Sequence, residues 1–326
     1  MNFSADQLTR RLIPGLLLGF VVFLIVVLIG DLQEVGSEFL HFRWELYPLV
    51  LGLTLFNYLL RFAKWHFFLH RLGVRELSLL ESARLFVAGF PLAVTPGKVG
   101  EVLKAVWLEN QTGLPTAQGV SVVTAERITD GLAVLLLSSL GVIAYPRYWP
   151  AFAGGLAFVL IVIIVSQIRP LALRMITWSE KLPVIKRFSE AALDFYEGSY
   201  TLFRPGSLLT AVGLGTVSWG GEGIGMYLVL IGLGVEPGWE ALSIGVFVLS
   251  FSTVIGAITA LPGGLGASEA SLAGMLVFLL STPADLASAA TILIRFATLW
   301  FAVLLGLIAW SFSRDLLGIP RRDRAP

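Results

Sequence analysis

Six segments of this chain, 12–30, 46–69, 118–144, 151–168, 207–232 and 287–312, are long apolar runs. About 20 such residues in a helix cross the hydrocarbon of a bilayer. The chain therefore reads as an all-α polytopic membrane protein. Of its 326 residues 56% are hydrophobic and only 14% are charged, with a mean hydropathy of +0.83. A soluble domain carries about 25% charged residues, so the apolar surplus faces lipid. The net charge of +1 carries no signal for nucleic acid. No stretch resembles a phosphate-cradling or base-reading motif. The chain has no cysteine, which removes disulfides and thiolate chemistry. No metal is expected: His66 and His70 sit at i, i+4 beside Arg71, at the end of a span, and read as interfacial.

Two regions do not read as simple spans. From Ser82 to Asn110 an apolar half is broken at Pro96-Gly97-Lys98-Val99-Gly100, and from Trp239 to Leu280 another is broken at Pro262-Gly263-Gly264-Leu265-Gly266. An arginine opens a further apolar run 31 residues after the first proline (Arg127) and 33 after the second (Arg295). Each half of these regions is short or Gly/Pro-interrupted, so both read as re-entrant hairpins. Irregular backbone at such tips is tolerated where protein or a wet cavity covers it. Six crossings and two hairpins leave both termini on one side. Fourteen basic residues then share that side: Arg10, Arg11, Arg71, Arg75, Arg169, Arg174, Lys181, Lys186, Arg187, Arg204, Arg314, Arg321, Arg322 and Arg324. The other side receives Arg43 and Arg147 with seven acids, so the termini are expected in the cytoplasm. Three crossings separate the span opening each half, which makes the halves an inverted-topology repeat with hairpin tips meeting at mid-membrane.

A single membrane domain over 1–326 follows. It divides into an N-terminal anchor helix (1–45), a first repeat (46–146), a linking helix with an amphipathic cytoplasmic segment (147–206), a second repeat (207–313) and a basic cytoplasmic tail (314–326). Arg10-Arg11 before an apolar run of 19 residues reads as a retained signal anchor, because the run exceeds an h-region and lacks a small-x-small site before Asp31. Pro170 to Arg204 reads as a surface connector at the headgroup level.

A charge at the bilayer centre costs about 2.5–3.5 kcal/mol on insertion scales and marks function by default. Lys98, Glu101 and Lys104 follow the first break at i, i+3, i+6. They line one side of a short helix whose free N–H groups favour an anion such as phosphate. Glu126, Arg127 and Asp130 open the next span, Glu222 interrupts Trp219-Gly220-Gly221-Glu222-Gly223, Glu269 follows the second break, and Arg295 leads the last span. These nine are the candidate substrate-binding residues, with Lys98 and Lys104 as phosphate contacts. Arg127 or Arg295 bridging to Glu101, Glu222 or Glu269 would also simply hold a bundle together. Arg61, Lys64 and Arg84 read as snorkelling to the cytoplasmic interface. Pro96, Gly97, Gly100, Pro262, Gly263, Gly264 and Gly266 supply the hairpin-tip backbone.

Pro96-Gly97-Lys98-Val99-Gly100-Glu101, Glu126-Arg127-Ile128-Thr129-Asp130 and Leu261-Pro262-Gly263-Gly264-Leu265-Gly266 with Glu269 together resemble one family. It is the flippase-like membrane domain typified by the N-terminal part of lysylphosphatidylglycerol synthases, and the likeness runs from about residue 10 to 313. The resemblance implies translocation of a lipid between leaflets, without the aminoacyl-transferring domain that follows the membrane part in the bifunctional relatives. It marks Pro96, Gly97, Gly100, Glu101, Glu126, Arg127, Asp130, Pro262, Gly263, Gly264, Gly266 and Glu269. The expected activity is flipping of a phosphate-bearing or anionic lipid through a polar midplane cavity, with no catalytic residue and no cofactor. The expected partners are the membrane lipid itself and either a second copy or a lipid-biosynthesis enzyme. The rival readings are a membrane-embedded transferase acting on a lipid-linked substrate, with Glu126 and Asp130 as acid and base, a small-solute or ion transporter on the same plan, and a non-transporting partner subunit.

Overall fold

A computed structural model of the chain describes residues 5–95, 100–144, 149–179 and 188–313. Fourteen α-helices are present among them, and no strand. They are α1 (Ala5–Ile29), α2 (Leu32–His41), α3 (Tyr47–Arg71), α4 (Leu79–Ala88), α5 (Val102–Thr112), α6 (Thr116–Ala144), α7 (Trp149–Gln167), α8 (Arg169–Ser179), α9 (Ser189–Leu202), α10 (Pro205–Gly232), α11 (Trp239–Ile258), α12 (Ala267–Leu280), α13 (Ala284–Arg295) and α14 (Phe301–Phe312). A π-helical turn, Phe296–Trp300, joins the last two without a break. Local chemistry sets several of the ends. The Asp31 side chain accepts from the Gln33 N–H at the start of α2. Ser78 and Glu81 exchange hydrogen bonds in a capping box that starts α4. Gly113, at φ 72°, turns the chain out of α5.

All six segments expected to span lie on long helices: α1, α3, α6, α7, α10 and α13–α14. Among the described residues five stretches combine the length and apolarity needed to cross a membrane, namely Leu12–Ile29, Trp44–Arg71, Trp239–Ile258, Pro262–Leu280 and Ala284–Phe312; α6 and α10, expected to span, are not among them. A sixth is reached if α7 and α8, bent by 81°, count as one. The expectation for the second half needs correcting. The segments either side of the Pro262 break are each long enough to cross, so length does not force a re-entrant hairpin there. The small residues after the break sustain a helix as far as Leu280 instead of ending it early. In the first half α4 and α5 have 10 and 11 residues and remain too short to cross. A hairpin and a pair of crossings both return the chain to the side it left, so the side assigned to every other loop is unchanged.

The core is built on α3 and α10, which pack antiparallel along their whole length. At one end the Arg43 N–H donates to the Gly232 carbonyl at 3.0 Å. Midway the Ser218 hydroxyl donates to the Asn57 carbonyl at 3.2 Å. At the other end Arg71 Nε donates to the Ser207 hydroxyl at 2.8 Å. Small residues on α10 allow this closeness, with Gly221 against Phe56 and Gly225 against Val50. The helices opening the two halves therefore run in opposite directions. Charge separates along the same axis. The Arg71 end also gathers Arg169, paired with Glu197 at 2.6 Å and lying over Tyr200, and Arg204 over the same ring. The opposite end holds Asp285 close to Glu38, where partial burial and then the Asp285 charge push the Glu38 carboxyl up. Within the expected connector, α8 and α9 form, and 180–187 lie outside the described residues.

The turn that leads into the first break touches the second break. The 3₁₀ turn Phe90–Val94 sits against Pro262–Gly264, and a β-carbon on Gly263 would meet Val94 Cγ1 at 3.3 Å. Pro96 to Val99 lie outside the described residues. The turn after α4 is closed from within: the Thr95 hydroxyl donates to the Leu92 carbonyl at 2.6 Å and accepts from the Gly100 N–H at 3.0 Å. A β-carbon on Gly100 would strike that hydroxyl at 2.5 Å. Gly264, at φ 68°, leaves 3.0 Å between its would-be β-carbon and Gly256 Cα. Gly264→Ala is expected to cost about 1–3 kcal/mol. Gly274→Ala, with open space around it, should be neutral or slightly stabilising. Unfolding of the two variants in detergent micelles checks the contrast.

Candidate functional site

Charged residues from three helices converge in a desolvated network beside the first break. Lys64 on α3 is 1% exposed and donates to Asp130 Oδ1 on α6 at 2.5 Å. One turn earlier, Arg61 places Nε 3.6 Å from Asp130 Oδ2, with its guanidinium over the Trp219 ring of α10 at 5.8 Å. Arg127 reaches the same Asp130 oxygen at 3.9 Å and Glu101 at 3.5 Å. Glu126, one turn before Asp130 on the same helix, accepts from Lys104 Nζ at 3.0 Å. That ammonium is capped by Trp65 at 4.1 Å and Phe86 at 5.1 Å. Uncompensated burial of an ion costs several kcal/mol, so each member depends on its partner being close.

The second half repeats one element of this arrangement. Arg295, the last residue of α13, donates through Nε to Glu269 Oε1 at 2.5 Å and through its Nη2 to the Gly263 carbonyl at 2.8 Å. Glu269 Oε2 accepts from the Gly266 N–H at 2.7 Å. Glu101–Arg127 and Glu269–Arg295 are both ion-paired at a separation of 26 residues. The first pair is loose, with the Arg127 side chain 35% exposed; the second is tight, with Arg295 15% exposed. A cleft opens over the second pair, walled by Gly19, Val22 and Phe23 of α1 and by Phe296 and Trp300 of the π turn. It is apolar apart from that pair and Thr291. Glu222 is buried on α10, within electrostatic reach of Arg61, Asp130 and Arg295.

A membrane protein with an acid–base pair beside each of two Pro-Gly breaks has a counterpart among known families. The model of the lysylphosphatidylglycerol synthase transmembrane region matches residues 16–306. The chain belongs to that family. With its long apolar helices, the chain is a multi-pass membrane protein. A UPF0104 membrane protein of Methanothermobacter thermautotrophicus is 29% identical over 227 residues, 64% of this chain and 66% of the relative. A UPF0104 membrane protein of Methanocaldococcus jannaschii is 25% identical over 235 residues, 71% of this chain and 98% of the relative. The chain thus spans just under two thirds of the first protein's length and nearly all of the second's. No solved structure matches.

The structure brings Glu101, Lys104, Glu126, Arg127 and Asp130 together, pairs Glu269 with Arg295, and sets Glu222 between the two groups. Lys98, expected to contact phosphate, lies outside the described residues. Lys104, expected in the same role, is enclosed by Trp65, Phe86 and Glu126. Arg61 and Lys64 do not snorkel to an interface. They are turned inward by Asp130, whose charge they balance, so they join the site. Two i, i+3 cations inside an otherwise apolar span were the signal for this. Asn57 and Trp219 carried no signal of their own. His66 and His70 lie with rings 4.4 Å apart, and the His66 ring shares a hydrogen bond with the Ser82 hydroxyl at 3.1 Å.

Lys104→Met removes the cation next to Glu126, which is fully buried. It is expected to destabilise the protein by about 3–5 kcal/mol, and Lys104→Met with Glu126→Leu to recover most of that loss. Chemical unfolding of the single and double variants in micelles measures both.

Proposed function

We propose that this protein moves a phosphate-bearing or anionic lipid between leaflets of the cell membrane, with both termini in the cytoplasm. The observation that carries the reading is the pair of equally spaced acid–base contacts, Glu101–Arg127 and Glu269–Arg295, one after each break, with the turn before the first break packed on the second. This arrangement fits a pair of inverted repeats whose broken elements meet at the site of transport. The antiparallel course of α3 and α10 supports it, because the two halves then face opposite ways. The headgroup passes along the charged groups while its tails stay in the bilayer. Arg127, half-exposed and held only at 3.5 and 3.9 Å, is the cation of the first network best placed to exchange a carboxylate for a phosphate. Lys98, three residues before Glu101 in the sequence, serves the same anion. Arg295 plays that part in the second half, beneath the small apolar cleft between α1 and the π turn. The chain has no nucleotide-binding motif, so the movement runs downhill, or is driven by an ion or a partner.

The test follows fluorescent phosphatidylglycerol in proteoliposomes, reading leaflet exposure by quencher access. Arg127→Gln, Arg295→Gln, Glu269→Ala and Lys98→Ala are each expected to slow exposure at least about tenfold, or 1.4 kcal/mol in the barrier. Rates equal to the parent's in all four would remove these residues from the path. The orientation is checked separately, since the chain has no cysteine to interfere. In intact cells a membrane-impermeant maleimide should label Glu236→Cys and spare Arg75→Cys until the membrane is opened.

A further inference from the structure

Among the described acids in the membrane zone, four have a cation within 4 Å: Glu101 at 3.5, Glu126 at 3.0, Asp130 at 2.5 and Glu269 at 2.5 Å. Glu222 is the exception. It is 4% exposed, and among the described residues no cation lies within 4 Å of it and no donor reaches it. The charged and titratable groups acting on it are Arg61 and Tyr58 from α3, Asp130 from α6 and Arg295 from α13. The ionisable residue of α11, Glu240, sits in the first turn of that helix, at its exposed end. Each cation in reach is already engaged: Arg295 by Glu269 and the Gly263 carbonyl, Arg61 by Asp130.

The two engagements differ in strength. Arg295 makes close hydrogen bonds. Arg61 Nε is buried and has no hydrogen-bond partner, its approach to Asp130 being 3.6 Å. Its guanidinium already lies over Trp219, three residues before Glu222 on α10. One turn before Arg61, Asn57 is fully buried with both amide atoms unpartnered, at the level where Ser218 of α10 meets α3. A polar seam therefore runs between α3 and α10 through Asn57, Arg61 and Glu222, and its members do not satisfy one another in this conformation.

We infer that Glu222 is a proton-binding site, and that its occupancy decides whether Arg61 rests on Asp130 or on Glu222. A buried carboxyl without a partner is relieved most cheaply by taking up a proton. In that state Arg61 stays with Asp130, as in this structure. When the proton leaves to water, the new carboxylate competes for Arg61, the more loosely held of the two guanidinium groups in its reach, and α3 shifts against α10. Lys64 still neutralises Asp130 at 2.5 Å, so Asp130 tolerates losing Arg61. Coupling of this step to lipid movement rests on the transport reading above; the proton site itself does not.

The experiment is infrared difference spectroscopy of the full chain in nanodiscs of phosphatidylglycerol and phosphatidylcholine, stepped from about pH 5 to about pH 9, a range that brackets buried glutamates. The parent is expected to show the carbonyl stretch of a protonated carboxylic acid that fades as pH rises, and Glu222→Gln to lack it. Absence of a titrating band in the parent overturns the inference, as does a band that survives in Glu222→Gln. If Glu222→Gln does not fold, Glu222→Asp is read instead, where a shifted band supports the assignment and an unchanged one overturns it. Labelled phosphatidylglycerol in liposomes carrying a pH gradient separates the two ideas. Lipid that moves without any titrating band at Glu222 defeats the proton site and spares transport. A Glu222 band without lipid movement at any pH defeats transport and spares the proton site.

Discussion

A carboxylate taken out of water needs a cation close by, and Asp130 meets that demand with three. Lys64, Arg61 and Arg127 all point at it, from two helices. The contact fixes the rotation of α3 about its own axis, because Lys64 and Arg61 lie one turn apart on a helix that is otherwise apolar. With α3 so turned, Asn57 and Tyr58 face inward too, and the Tyr58 hydroxyl reaches the Thr298 carbonyl at 2.5 Å. Electrostatics thus sets the register of the helices, and apolar packing fills in around it.

Much of the helical framework was legible because a span announces itself by length and apolarity. The break positions were equally plain, since proline and glycine rarely interrupt a run of that kind without a structural reason. The matched contexts of the breaks were visible in two Pro-Gly motifs, each followed by an arginine. What escaped was pairing across space. Lys64 looks like a snorkelling lysine until Asp130, 66 residues away, is placed beside it. Lys104 looks like a free phosphate ligand until Trp65 and Phe86 close over it. At the second break what escaped was length. Ala267 to Leu280 is rich in small residues and looks weak as a membrane helix, yet once packed on α11 it is regular to its end.

The breaks also explain why so much of the polar chemistry gathers around them. An interrupted helix exposes carbonyls and N–H groups that need partners, and the structure supplies them from side chains: Thr95 for Gly100, Glu269 for Gly266, Arg295 for Gly263. Arg295 and Glu269 thus satisfy freed backbone and each other together. Moving either one disturbs the break and the ion pair at once, so the local backbone and the charge arrangement are a single unit.

The π-helical turn at Phe296–Trp300 divides one continuous 29-residue helix into two unlike environments. Every residue from Ala287 to Ile294 is buried, whereas beyond the turn Leu304, Leu307, Ile308 and Phe312 face outward. A single wide turn of this kind inside an α-helix is rare and is found mostly at functional sites. Arg295 stands immediately before it, its guanidinium held by Glu269 and the Gly263 carbonyl. The widened turn thus marks the residue at which the enclosed, ion-paired length of the helix gives way to its outward-facing one.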